Sequence, residues 1–264
     1  MSDTKSHRWN RIFRNDGRTV IFAMDHAVTF GLMPGLEKPG EVIAKVQAGG
    51  ADAILTTMGI VKNFSPQIGD MSIILRLDGG TTKLAQSPAP GSVVYNVYDA
   101  LRVGAEAVGV MGMPGSQFED QTLPYLSEII QQGLEWNVPV MAEMLPGGFE
   151  NPGKYWTPEN IGHACRIGSE MGVDFIKTTY SGDPETWKNI VSQIYTPIVV
   201  LGGSKSKDPV DLLTDIYTSI QMGASGVAVG RNIYQHPHPD QVTAAITAIV
   251  HENATVEQAL EYLR

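Results

Sequence analysis

Short apolar runs rich in β-branched residues recur along the chain, and between them apolar residues return every three or four positions. This pattern predicts parallel strands joined by helices. Eight runs have strand character: Thr19 to Met24, Ala51 to Thr56, Ser72 to Leu77, Ala105 to Val110, Pro139 to Met144, Asp174 to Thr178, Ile198 to Leu201 and Gly226 to Val229. Helical spacing falls on Glu41 to Ala48, Val97 to Val103, Thr122 to Trp136, Pro158 to Met171, Pro184 to Gln193, Pro209 to Met222 and Pro239 to Val250. Thr157-Pro158, Asp183-Pro184 and Asp208-Pro209 set a capping residue before a first-turn proline. Gly49-Gly50, Gly104, Gly172 and Gly223 follow helical stretches and can close them in the left-handed conformation. The junctions Val103-Gly104-Ala105-Glu106, Met171-Gly172-Val173-Asp174 and Met222-Gly223-Ala224-Ser225 resemble one another, which implies a repeated βα unit.

Eight strands fit a closed barrel better than an open doubly wound sheet, for which about six suffice. The first strand-to-helix turn, Asp25 to Gly35, has no G-x-G-x-x-G, which weighs against a dinucleotide site. The expected fold class is therefore α/β, a single-domain (β/α)8 TIM barrel over residues 1–264. A polar segment, 1–17, precedes it, and an added amphipathic helix closes it at about 255–263. In such a barrel the carboxyl ends of the strands converge on one mouth. That convergence brings Asp25, His26, Glu143, Lys177, Gly202, Gly203 and Arg231 together.

Composition narrows the function. The chain is 42% hydrophobic and 18% charged, as expected of a globular protein. Its formal charge of −9 weighs against a broad nucleic-acid or anionic-membrane surface while leaving room for a local basic pocket. Cys165 alone permits neither an intrachain disulfide nor a multi-cysteine metal site, and its helical position suits a small core residue. The amino-terminal residues lack an apolar signal core, and no run reaches the ~20 apolar residues of a membrane span. A cytoplasmic location is expected.

The chemistry starts at Lys177, which ends the apolar run Val173-Asp174-Phe175-Ile176. A lysine held among apolar neighbours loses solvation of its charged form, and its neutral amine can then attack a carbonyl to give a Schiff base. The alternative is a lysine whose stem lies on apolar surface while its ammonium reaches water. Asp25 and His26 follow the first strand; Asp25 can move a proton, pair with an ammonium or cap its own loop, and His26 can touch substrate or hydrogen-bond within the loop. Gly202-Gly203-Ser204-Lys205 after the seventh strand and Gly230-Arg231 after the eighth lie where barrels commonly bind phosphate. Glycines expose backbone N–H groups and arginine binds phosphate oxygens in pairs. Either cluster alone also suits an ordinary tight turn.

Taken together, Met24-Asp25-His26, the stretch Leu77 to Leu84, Pro114 to Glu119, Ile176 to Asp183, Gly202 to Lys205 and Gly230 to Ile233 resemble the archaeal-type class I fructose-bisphosphate aldolases over nearly the whole chain. The likeness extends to the aminodideoxyheptulosonate-phosphate synthases and the autoinducer-2 processing thiolase. It implies a barrel in which Lys177 forms an imine with a ketone, Asp25 assists proton transfer, and the loops of Gly202, Gly203, Gly230 and Arg231 hold phosphate. It also implies a phosphorylated small-molecule substrate and no metal or other cofactor, since the protonated imine is the electron sink. The relatives' rings imply a homo-oligomer, with a decameric ring as one form.

Two departures bear on the reaction. Relatives carry a tyrosine in a Tyr-Pro-Arg-Gly-like motif after the fifth strand, where this chain has Glu143-Met144-Leu145-Pro146-Gly147-Gly148. Leu145 cannot transfer a proton. Strand alternation puts Glu143 on its face, so a glutamate with a raised pKa is the expected substitute, unless it is a structural carboxylate paired with Lys177. Tyr155 and Tyr180 are further candidate donors. The second departure is Ala27-Val28-Thr29-Phe30 in place of a more polar loop, which points to a different substrate size and polarity. The leading expectation is a Schiff-base aldolase acting on a phosphorylated ketose or related keto compound. The alternatives are thiolase-type acyl transfer, with coenzyme A as cosubstrate, and a non-catalytic barrel that binds sugar phosphates.

Overall fold

A computed structural model describes residues 3–79, 82–85, 92–149, 151–203 and 208–264, the side chains of residues 3, 4, 92 and 93 excepted. Eight parallel strands close a barrel: β1 Thr19–Ala23, β2 Ala53–Thr56, β3 Ser72–Arg76, β4 Ala107–Gly112, β5 Val140–Met144, β6 Phe175–Thr178, β7 Ile198–Leu201 and β8 Gly226–Val229. Each strand pairs with its neighbours in chain order, and β1 pairs with β8 to complete the ring. The predicted eight-stranded barrel is the observed one, with strand ends differing by at most two residues.

The strands are buried on both faces, so they read as nearly unbroken apolar runs. Their outward residues, such as Val20, Phe22, Ile54, Val108 and Ile176, pack against the helices in the larger core. Their inward residues, Ile21, Ala23, Leu55, Ile74, Met141, Phe175, Val199 and Ala228, fill the barrel itself. Helix Pro158–Met171 shows how the crossovers are fixed. The Thr157 hydroxyl accepts from the Asn160 N–H, proline opens the first turn, and Gly172 at φ +95° ends it.

Several helices escaped the pattern. Met58–Ile68 contains Pro66 and a break at Phe64, which interrupt its spacing. Ala27–Phe30, Pro152–Tyr155 and Arg231–Tyr234 are single turns, too short to show a period. The segment expected only to be polar contains a helix, Asp3–Ile12, that closes the amino-terminal end of the barrel. Ile12, Phe13 and Trp9 join the inner core, Trp9 stacks on Phe13 at 4.1 Å, and Phe13 meets Phe175 edge-on at 5.3 Å. The buried Lys5 ammonium is paired at 2.7 Å with Asp174, whose same oxygen also accepts the Val140 N–H. At the other end of the chain, Val256–Leu260 and the turn Glu261–Leu263 occupy the predicted terminal helix and pack on Pro239–Glu252.

Phe175 is the largest inward side chain beneath the mouth. Phe175→Ala is expected to lower the unfolding free energy by about 3–5 kcal/mol in denaturant titration, whereas Leu32→Ala, on the exposed surface, should change it by less than about 0.5 kcal/mol.

Candidate active site

The strand period places the charges. Two residues beyond the inward Ala23, Ile74, Met141 and Phe175 come Asp25, Arg76, Glu143 and Lys177, which therefore point the same way, one layer nearer the mouth. Above the apolar filling they line a cavity of about 620 Å³ at the carboxyl ends of the strands.

Glu143 and Lys177 are register partners on β5 and β6. The Lys177 amine lies 2.9 Å from Glu143 Oε1, and both side chains are buried. Glu143 Oε2 accepts from Arg76 Nη1 at 2.7 Å, so the carboxylate is shared between two cations. Arg76 Nη1 also reaches Asp25 Oδ2 at 3.3 Å, and Arg76 Nε donates to Asp78, whose other oxygen accepts the Met111 N–H at 2.7 Å. Burial alone would raise the Glu143 pKa, but the Lys177 ammonium and the Arg76 guanidinium outweigh it and hold the carboxyl at about 2. The raised pKa expected for Glu143 is thus corrected: it is an anion, because a buried carboxylate between two cations gains more from them than it loses in solvation. The apolar surroundings expected of Lys177 extend along its strand only, since its amine faces that carboxylate.

His26 Nδ1 stands 3.8 Å from Asp25 Oδ1. Burial, with the nearby Lys177 and Arg231 charges, lowers the His26 pKa against the pull of Asp25, so the imidazole is uncharged at neutral pH. Burial likewise raises Asp78 despite Arg76 and the Met111 hydrogen bond. Across the mouth, Arg231 Nη2 donates to the Gly203 carbonyl at 3.1 Å, while its buried Nε has no partner among the described residues. Gly230 must lack a side chain, since a Cβ there would stand 2.5 Å from the Ala23 carbonyl and 2.6 Å from the His26 ring. Gly203 lines the cavity. Gly202 lines it too, but its N–H is spent on the Ala228 carbonyl, so the expectation that it donates to an anion is corrected. Ser204 and Lys205 lie outside the described residues.

Leu145 is fully buried and does not line the cavity, contrary to the shared face expected with Glu143: β5 ends at Met144, and the alternation ends with it. Tyr155 packs under Gly147 and Tyr180 against Trp187, and neither lines the cavity. No tyrosine is found among the described lining residues. Val28, Thr29 and Phe30 line it as the altered loop suggested, opposite Met113, Phe118, Phe149 and Trp156. Arg76 and Asp78 were missed as site residues, although a charge ending the buried run Ser72-Ile73-Ile74-Leu75 is the same signal that marked Lys177. The Phe149 and Trp156 wall, with rings 6.2 Å apart, had no comparable signal because it comes from a loop and a single turn.

The model of the DeoC/LacD family aldolases matches residues 19–236. The chain belongs to that family. It is 37% identical over 257 residues to a 2-amino-3,7-dideoxy-D-threo-hept-6-ulosonate synthase of Halobacterium salinarum, covering 97% of this chain and 95% of the relative. A synthase of the same name from Archaeoglobus fulgidus is 34% identical, over 98% and 95% of the two chains. Among solved structures, an archaeal fructose 1,6-bisphosphate aldolase superposes with a TM-score of 0.84 at 28% identity, covering 94% of this chain and 99% of that one. A structure of reaction intermediates of the Schiff-base-forming fructose-1,6-bisphosphate aldolase gives 0.85 at 28% identity, over 94% and 100%. The chain is thus a DeoC-family aldolase of the Schiff-base, class I type, a carbon–carbon lyase.

The electrostatics of Glu143 set a pH dependence. Its folded pKa, about 2, lies below the ordinary 4.5, so the stability it contributes is complete above about 4.5 and is lost as pH falls through about 2. Urea unfolding of wild type and Glu143→Gln between pH 6 and pH 3 should show the wild type's advantage shrinking toward the acid end. A difference independent of pH would contradict a depressed carboxyl.

Proposed function

We propose that this aldolase makes or cleaves a carbon–carbon bond in a phosphorylated keto compound through an imine on Lys177. The observation that carries the reading is the Lys177 amine, 2.9 Å from an ionised carboxylate in a cavity that also holds Arg231. Lys177 first sheds a proton, for which the uncharged His26 imidazole is an acceptor, and its neutral amine adds to the ketone carbon. The hydroxyl of the carbinolamine leaves as water once it gains a proton, passed from His26 through Asp25. The resulting protonated imine takes the electrons of the adjacent carbon–carbon bond when Asp25 removes the proton of the β-hydroxyl, releasing an aldehyde and leaving an enamine. Protonation of the enamine carbon and hydrolysis then restore the lysine.

Glu143 stays anionic throughout and serves as counter-ion to the ammonium and to the protonated imine, a preorganised charge in a water-poor site. The role of proton donor passes from the family tyrosine to Asp25 and His26. Arg231, with the Gly203 and Gly230 backbone beside it, holds the phosphate. The apolar mouth formed by Phe30, Phe118, Phe149 and Trp156 supports a substrate less polar at that end than fructose 1,6-bisphosphate. Exposed Tyr98, Leu134 and Trp136, two of them in ring contact at 6.1 Å, support a homo-oligomer.

Three variants assayed against a panel of phosphorylated ketoses including fructose 1,6-bisphosphate test these roles. Lys177→Met should abolish turnover, and Glu143→Gln should lower kcat by about 10²–10³-fold. Arg231→Gln should raise KM with kcat little changed. Turnover by Lys177→Met would remove the imine, and product that appears only with coenzyme A, as an acyl thioester, would replace aldol cleavage by acyl transfer.

A further inference from the structure

We infer that Arg76 is a positioning residue whose fixed charge keeps Glu143 ionised and turned toward Lys177 while the lysine nitrogen is uncharged. The inference rests on the imine reading, which requires Lys177 to pass through a neutral amine and a neutral carbinolamine. At those stages Glu143 loses the partner that faces Oε1.

The geometry supplies a second partner that does not change. Arg76 is buried, meets Glu143 Oε2 at 2.7 Å and is held from behind by Asp78, itself anchored to the Met111 N–H. Burial works against the guanidinium charge, but Asp78, Glu143 and Asp25 outweigh it and push the pKa above its already high ordinary value. Arginine therefore stays protonated at every step.

Among the described residues, the charged or titratable groups around Glu143 are Asp25 and His26 from the end of β1, Arg76 and Asp78 from β3 and beyond, and Lys177 from β6. With His26 neutral, Arg76 and Lys177 face three carboxylates. When the lysine is neutral, one cation faces three. Without Arg76 no cation among the described residues would touch Glu143, and a buried carboxylate so placed takes up a proton. The two oxygens of Glu143 are thus divided: one is tied to a permanent charge, and the other stays ready for the cationic imine as it forms. A lysine at position 76 would keep the charge but lose the fork that reaches Asp78 and Glu143 together.

The test uses Lys177→Met as a stand-in for the uncharged lysine and follows the Glu143 carboxyl by 13C NMR in protein labelled at the glutamate side-chain carboxyl. The resonance is assigned by its loss in Glu143→Gln. Glu143 should remain ionised at pH 7 in Lys177→Met and in Lys177→Met with Arg76→Lys. Its midpoint should rise by roughly two pH units or more when Arg76→Gln is added. Because Arg76→Gln leaves Asp78 uncompensated, the same measurement in a variant that also carries Asp78→Asn covers loss of folding, and its midpoint should rise as well. An unchanged Glu143 midpoint in the folded Arg76→Gln variants overturns the inference. The titration needs no substrate, so that outcome leaves the imine reading standing. Failure of wild-type Lys177 to be trapped by borohydride with dihydroxyacetone phosphate, or with any ketose the enzyme turns over, would remove the reading and the role of Arg76 with it.

Discussion

The site depends on one buried carboxylate shared by two cations. Glu143 presents one oxygen to Arg76 and the other to Lys177, at 2.7 and 2.9 Å. Breaking such a pair from one side leaves an uncompensated charge in a poorly solvated place, which is among the costlier defects a folded protein can carry. The rest of the mouth is consistent with this constraint. Asp78 fixes the arginine, Met111 fixes Asp78, and Asp25 completes the ring around the guanidinium.

The barrel makes that arrangement possible by stacking. A layer of Ala23, Ile74, Met141 and Phe175 fills the interior, and the next inward position on each of those strands carries a charge. The amino-terminal helix seals the opposite end with Ile12, Phe13 and Trp9. The apolar layer limits access of water from below, so the charges above interact with one another rather than with bulk solvent.

Fold and site differed in how far they could be read from sequence. Barrel strands buried on both faces announce themselves as apolar runs, and helices such as Pro158–Met171 carry their own caps, so the eightfold repeat was visible. Lys177 stood out because a charge at the end of such a run needs a reason. Arg76 carried the same signal in Ser72-Ile73-Ile74-Leu75-Arg76, yet its importance lies in contacts with residues far apart in the chain. The state of Glu143 was misread for the same cause: sequence shows that a carboxylate is buried, while only the fold shows two cations beside it. The family likeness located the missing tyrosine at Leu145, but the end of β5 turns that side chain away from the cavity. The apolar wall of Phe149 and Trp156 comes from irregular chain, which has no period to betray it.

The central claim is that the Lys177 nitrogen becomes covalently bonded to the substrate carbon. Borohydride reduction of the enzyme during turnover of a phosphorylated ketose, followed by peptide mass mapping, measures it most directly. The predicted result is a stable adduct of the ketone's mass on the peptide containing Lys177, absent in Lys177→Met. Sustained turnover under the same conditions with Lys177 unmodified would contradict it.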